Sequence, residues 1–227
     1  MKIRGASLLL LAMLYLTLAS IPAVGGEILY TNGPVSGTIN AWTISTLPFD
    51  FGPSPLFSPG TIHDPGHFVS DSFTLTAPQS DVESVHFFAW TFVEDGVATV
   101  NWSILTPPFG IFYTGSAAVT DTLLFYNGGC CDIHEDSFTF PSIDLPAGTY
   151  LLTLSGATAG GPFGPHGVMW DQNSGPSLAY TIVGGVMNPI PSEAFYIDGT
   201  VIPEPSSIML FGSGLLGLAG VLRRKLF

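Results

Sequence analysis

Between Glu27 and Ile202 the chain holds 16 carboxylates and not one lysine or arginine. All five basic residues stand at the ends: Lys2 and Arg4 in front, Arg223, Arg224 and Lys225 behind. A segment of this kind cannot build networks of ion pairs. It cannot neutralise phosphates either, so nucleic acid is excluded as a partner. Its folding has to rest on apolar burial and backbone hydrogen bonds. The material for that is present: 46% of the 227 residues are hydrophobic and only 10% are charged. The length suits one β-rich domain or two small ones.

The cations belong to two terminal signals. Residues Met1 to Arg4 are short and positive, Gly5 to Ile21 form an apolar run, and the small residues Ala23, Gly25 and Gly26 follow. This is the three-part pattern of a secretory signal peptide over residues 1–25, with an uncleaved N-terminal anchor as the alternative. At the other end Ser206 to Leu222 is a run of 17 residues without a charge. That is near the lower limit of roughly 17–25 residues for a transmembrane helix. Arg223, Arg224 and Lys225 follow at once and, by the positive-inside rule, would stay cytoplasmic, which leaves everything before Ser206 outside the inner membrane. Within this run Gly212-Ser213-Gly214-Leu215-Leu216-Gly217 fits the G-x-G-x-x-G pattern. The chain ends ten residues later, without the strand and the acidic residue that a dinucleotide site requires.

Before the helix stands Ile202-Pro203-Glu204-Pro205-Ser206, where two prolines enforce an extended, accessible linker. Pro-Glu-Pro, an apolar helix and a short basic terminus, in that order, resemble the PEP-CTERM sorting signal of exported bacterial proteins. The resemblance covers residues 203–227. It implies that Pro203, Glu204 and Pro205 form the recognition element and that Arg223, Arg224 and Lys225 form the stop-transfer cluster. It also implies an exosortase-type membrane protease as partner, passage through the membrane during sorting, and removal of the tail near Pro-Glu-Pro. A permanent C-terminal membrane anchor is the alternative. Proteins with this tail belong to bacteria that make extracellular polysaccharide, and the same tail is sometimes labelled an ice-binding-protein C-terminal domain. No regular threonine ladder supports an ice-binding role.

Residues 26–202 read as a single all-β domain, an antiparallel β-sandwich of jelly-roll type. Turn formers are dense, and β-branched and aromatic residues gather in short runs between them. His67 to Thr76 puts Val69, Phe73 and Leu75 on one face. Asp81 to Val93 is apolar on both faces, which predicts a central strand covered twice. Glu94-Asp95-Gly96 predicts a hairpin turn returning through Val97 to Leu105. Ser137 to Leu145 and Thr149 to Leu154 read as a strand pair turned by Pro146-Ala147-Gly148. Met169-Trp170, Ser177 to Val183 and Ala194 to Thr200 are shorter strand candidates, and Pro48 to Pro65 is a proline-rich loop. Asn101-Trp102-Ser103-Ile104, Ala147-Gly148-Thr149-Tyr150, Trp170 to Pro176 and Pro191 to Phe195 resemble stretches of lectin- or galactose-binding-like jelly rolls. This second resemblance implies a fold, not an activity.

Three groups of residues are candidates for chemistry. Cys130 and Cys131 are adjacent, and export to an oxidising compartment favours a bond. A vicinal disulfide, two thiols and an intermolecular bridge all remain open, because neighbouring Cα atoms lie about 3.8 Å apart, below the usual disulfide range. Asp132, His134, Glu135 and Asp136 offer hard donors that Ca²⁺ would take, and the alternative is a solvated acidic loop. Trp170, with Asp171 and Asn173 beside it in a polar stretch, is the candidate glycan contact. The alternative is a buried indole with a hydrogen-bonded neighbour. No G-x-S-x-G, no H-E-x-x-H and no lysine for a nucleophile or base occurs in the body, so no enzyme is expected. The expected role is structural or interactive, in an extracellular polysaccharide matrix, with a glycan-binding module, Ca²⁺-dependent or not, as the second reading and a hydrolase as the third.

Overall fold

The computed structural model describes residues 26–37, 40–45, 62–63, 68–107, 110–127, 130–162, 166–183, 186–202 and 205–226. The expected signal peptide, most of the loop from Pro48 to Pro65, and Pro203 and Glu204 lie outside the described residues. Among the described residues twelve strands form one hydrogen-bonded sheet, antiparallel apart from one short pairing. They are β1 (Glu27–Thr31), β2 (Ala41–Thr43), β3 (Ile62–His63), β4 (Phe68–Phe92), β5 (Gly96–Thr106), β6 (Gly110–Ala118), β7 (Thr120–Tyr126), β8 (Cys131–Gly160), β9 (Met169–Asp171), β10 (Ala179–Val183), β11 (Val186–Ile190) and β12 (Phe195–Val201). One helix, α1 (Pro205–Leu226), ends the chain.

Two long strands organise the molecule. β4 pairs with β8 from end to end, with register shifts between Leu75 and Gln79 and between Val82 and Ser84. Bulges of this kind bend a strand and increase its twist. The first falls at Pro78, which lacks an N–H, with Pro146 opposite Gln79, and the second falls opposite residues 139–143, which include Pro141. The half of the ribbon around Val69 is flanked by β10 on one side and β5 on the other. The half around Val85 is flanked by β12, β9 and β7. The ribbon folds over, so Trp102 on β5 meets Phe138 and Phe140 at ring separations of 6.3 and 4.5 Å. Gly115 sits across from Trp102 because a side chain there would enter the space that the indole fills. Tyr30 on β1 closes the core, lying 6.1 Å from Phe73 and 5.5 Å from Phe195.

This architecture bears out the all-β, mostly antiparallel expectation and changes its connections. The turn after β4 is centred on Val93 and Glu94, with the positive φ of 67° on Glu94 and the Asp95 N–H donating to Phe92 O. β5 does not return beside β4 as the hairpin reading expects. β8 lies between them, and β5 pairs with β8 and β6. Likewise Ser137 to Leu145 and Thr149 to Leu154 are not a hairpin. They are successive parts of one strand that runs through Pro146 and Gly148. Their partners come from different stretches of β4, Ser80 to His86 and Val69 to Thr74, information that no local turn signal carries.

The second face of β4 is covered where the two-sided apolar pattern requires it. Trp90, Cys130, Cys131, Ile133, Met169 and Ala41 form a smaller cluster with Val35 packed on it. At the C-terminus the expected helix exists, but the transmembrane assignment is not supported. Among the described residues no helix is long and apolar enough to cross a membrane.

Candidate functional site

β8 opens with the acidic stretch read above as a metal loop or a solvated turn. It is a strand, and pleating separates its donors, since successive side chains point to opposite faces. Asp132, His134 and Asp136 share the face that carries Phe138. The Asp132 carboxylate accepts from the Glu94 N–H at 2.8 Å, and His134 Nδ1 lies 2.9 Å from Asp121 on β7. Asp136 stands opposite Asp121 across the strands. Burial, and then the neighbouring Asp121, push its carboxyl well above the usual range. Burial also pushes Asp121 up, but hydrogen bonds from His134, Asp136 and the Val97 N–H outweigh it and hold Asp121 below that range.

Glu135 points the other way, to a second group. Its carboxylate lies 3.1 Å from His86 Nδ1 and accepts from Tyr196 OH at 2.5 Å, while His86 Nε2 lies 3.3 Å from Asp198. The His86 and Tyr196 rings stack at 4.2 Å. Burial and Glu135 push the Tyr196 hydroxyl up, and burial raises Asp198 despite His86. Among the described residues no three His, Cys, Asp or Glu side chains stand together as a metal would need. The four residues expected to hold Ca²⁺ are therefore divided between two groups on opposite faces of one strand.

The candidate glycan contact is taken apart in a different way. Trp170 is 0% exposed, 5.6 Å from Phe195, with Nε1 donating to Ala194 O at 2.9 Å. An indole with no accessible face cannot stack on a sugar, so Trp170 is a core residue. Asp171 is buried too and acts as a clamp. It accepts from Trp90 Nε1 at 2.7 Å, from the Ser36 N–H at 2.6 Å and from the Gly37 N–H at 2.9 Å. Burial raises its carboxyl, and these donors oppose the rise. Asn173 bonds Asn32 O at 2.7 Å and, with Gly33 and Ser36, lines a pocket of about 210 Å³. Cys130 and Cys131 are joined as a disulfide, buried in the cluster around Trp90. Asn127 Oδ1 accepts from both of their N–H groups.

Sequence reasoning missed a further group. Asn32, Asp71 and Glu193 are all fully buried. Asp71 lies between Val69 and Phe73 on the core face of β4, accepting from Asn32 Nδ2 at 2.8 Å and the Glu193 N–H at 2.7 Å. Burial pushes its carboxyl up to about 6, against hydrogen bonds from Ser177, Glu193, Ser72 and Asn32. Both Glu193 carboxylate oxygens are without a hydrogen-bond partner. Burial, then Asp71 and Asp171, push Glu193 well above the usual carboxylate range. The one available signal was a carboxylate inside an apolar strand, Asp71 between Val69 and Phe73.

The sorting segment begins where β12 ends. The Ile202 N–H donates to Gln79 O at 3.0 Å, so the last residue before Pro203 is still fastened to the sheet. Beyond it α1 makes no packing contact with any strand among the described residues, and its Phe211 and Leu216 are exposed. Comparison with protein families matches residues 201–225 to the PEP-CTERM protein-sorting motif. The motif begins at the last residue of β12 and takes in Pro203, Glu204, Pro205, Arg223, Arg224 and Lys225. It supports an exported protein that exosortase, a membrane protease, recognises and processes at the membrane. No curated protein and no solved structure matches the chain.

Proposed function

We propose that the chain is an exosortase-processed surface or extracellular protein whose β body serves a structural or interaction role in an extracellular polysaccharide layer. The match of residues 201–225 to the sorting motif carries this reading. The geometry around it adds support, because the fold is fastened up to Ile202 and, among the described residues, α1 makes no contact with a strand. A cut near Pro203 to Pro205 would release the body without breaking a strand. We read that body as a jelly-roll-like sandwich with no catalytic function and a Lys- and Arg-free surface. Such a surface repels anionic polymers unless a divalent cation bridges them.

Mass spectrometry of the protein from its native host tests the proposal. The expected result is a mature C-terminus at or near Pro203 to Pro205, free or joined to another group, with residues 206–227 gone. An intact Phe227 terminus on the mature protein would overturn it. A glycan array with and without chelator tests the matrix role, and binding to a discrete glycan would move the body to the ligand-binding class.

A further inference from the structure

A strand at the edge of a sheet offers backbone N–H and C=O groups to any other strand, and folded proteins blunt such edges with charge, proline, bulges or shortness. Among the described residues five strands pair on one side only: β1, β3, β6, β7 and β11. β1 carries Glu27, β3 is two residues long and β11 contains Pro189. β6 is interrupted by Gly115, and its exposed residues alternate with half-buried ones. β7 is different. All seven of its residues are exposed, with Leu123, Leu124 and Phe125 at 58, 39 and 40%. It holds no proline, no glycine and one charged residue, Asp121. Its one blunting feature is the register shift at Leu124, which leaves an apolar side chain, not a charge, without a partner on β8.

Charge narrows what can lie against this edge. Thr122 to Cys131 contains no carboxylate, in a body with 16 of them and no lysine or arginine. Asp121, at the start of β7, is already engaged by His134 and the Val97 N–H. A polyanion finds no cation here to bind. A second copy of the chain is repelled by the acidic surface elsewhere, yet brings the same uncharged edge to this one. We propose that β7 is a self-association edge, at which two copies pair antiparallel about a two-fold axis and continue the sheet from one body into the next. A two-fold interface brings one patch onto itself, so the strand has to be its own complement. Centred on Leu124, the pairing sets Leu123 against Phe125 of the second copy, Thr122 against Tyr126 and Asp121 against Asn127. No carboxylate then faces another, and the apolar side chains that β7 exposes meet across the strands. The pairing uses the β body alone and does not depend on how the chain is sorted, so failure of either proposal leaves the other standing.

Sedimentation of the protein purified from its native host, at about 1 to 100 µM, tests the pairing. A monomer–dimer equilibrium is expected. Raising NaCl from about 0.05 to 0.5 M should tighten it a few-fold, because the acidic bodies then repel each other less. Leu124→Lys puts a charge at the centre of the pairing and is expected to weaken association by about tenfold or more. Where that variant does not fold, hydrogen exchange on the wild-type protein carries the comparison. Protection of the β7 amides should rise with protein concentration, while that of β6 and β11 stays constant. A monomer across the whole range would overturn the proposal. Association that Leu124→Lys leaves undiminished, or that leaves β7 exchange unchanged, would overturn it equally.

Discussion

Trp170 and Asp171 are neighbours with opposite duties, and the pleat of β9 assigns them. Trp170 faces the core between Phe87 and Phe195. Asp171 faces the other cluster and holds the Ser36–Gly37 turn. Trp170→Ala is therefore expected to cost about 3–5 kcal/mol of stability, read as a lower urea midpoint. A variant of wild-type stability would place the indole at the surface. Asp171→Ala leaves three buried donors without an acceptor, each worth about 1–3 kcal/mol. Its local signature is loss of hydrogen-exchange protection at the Ser36 and Gly37 amides, and unchanged protection there would refute the clamp. Sequence could suggest that Trp170 and Asp171 mattered, but not how. The donors to Asp171 lie 81, 134 and 135 residues away, so a stretch that reads as a polar loop is sealed by partners that no local pattern reveals.

At the scale of elements, stretches of β4, β5, β8, β9, β10 and β12 were legible, while the other strands and the partners of all of them were not. Alternation identified Val69, Phe73 and Leu75 as one buried face, and the two-sided apolar run around Phe88 and Trp90 as doubly covered. Pro146 and Gly148 read as a turn, yet β8 runs through them with a register shift in its pairing to β4. The acidic opening of β8 reads as a turn because its composition is polar. Its burial comes from β4 and β7 on either side. The same contrast between paired and unpaired elements sets the fate of glycines. Gly199 lies in the bulged part of β12, where a side chain would run into the Asp81 backbone, whereas Gly214 in α1 meets nothing within 4 Å. Gly199→Ala is expected to destabilise the body by several degrees in Tm, because backbone cannot yield as a side chain can. Gly214→Ala should leave the body unchanged and favour the helix by roughly 1 kcal/mol. Equal effects of the two in thermal unfolding would contradict the observed pairing of β12.

For the whole molecule, the missing cations make proton uptake the chain's own means of offsetting buried charge. Asp71, with a carboxyl at about 6, and Asp136, Asp171, Glu193 and Asp198, all raised mainly by burial, bind protons more tightly folded than unfolded. A raised acid contributes stability that is fully present below its unfolded value near 4, and that contribution is lost as pH climbs through the folded value. The protein should therefore gain stability as pH falls from about 8 to 5, with Asp71 alone contributing about 1 kcal/mol over that range. Asp121 is lowered, so its opposite contribution is lost only below the ordinary carboxylate range and does not enter this window. Partial neutralisation of the 16 carboxylates between Glu27 and Ile202 acts in the same direction by relieving self-repulsion. Urea unfolding at successive pH values measures the slope, and Asp71→Asn should flatten it between about pH 4 and 6 because the substituted side chain no longer titrates. A stability maximum near pH 8 would mean that these carboxylates are solvated rather than buried, and the arrangement of β4, β8 and β12 around them would have to be revised.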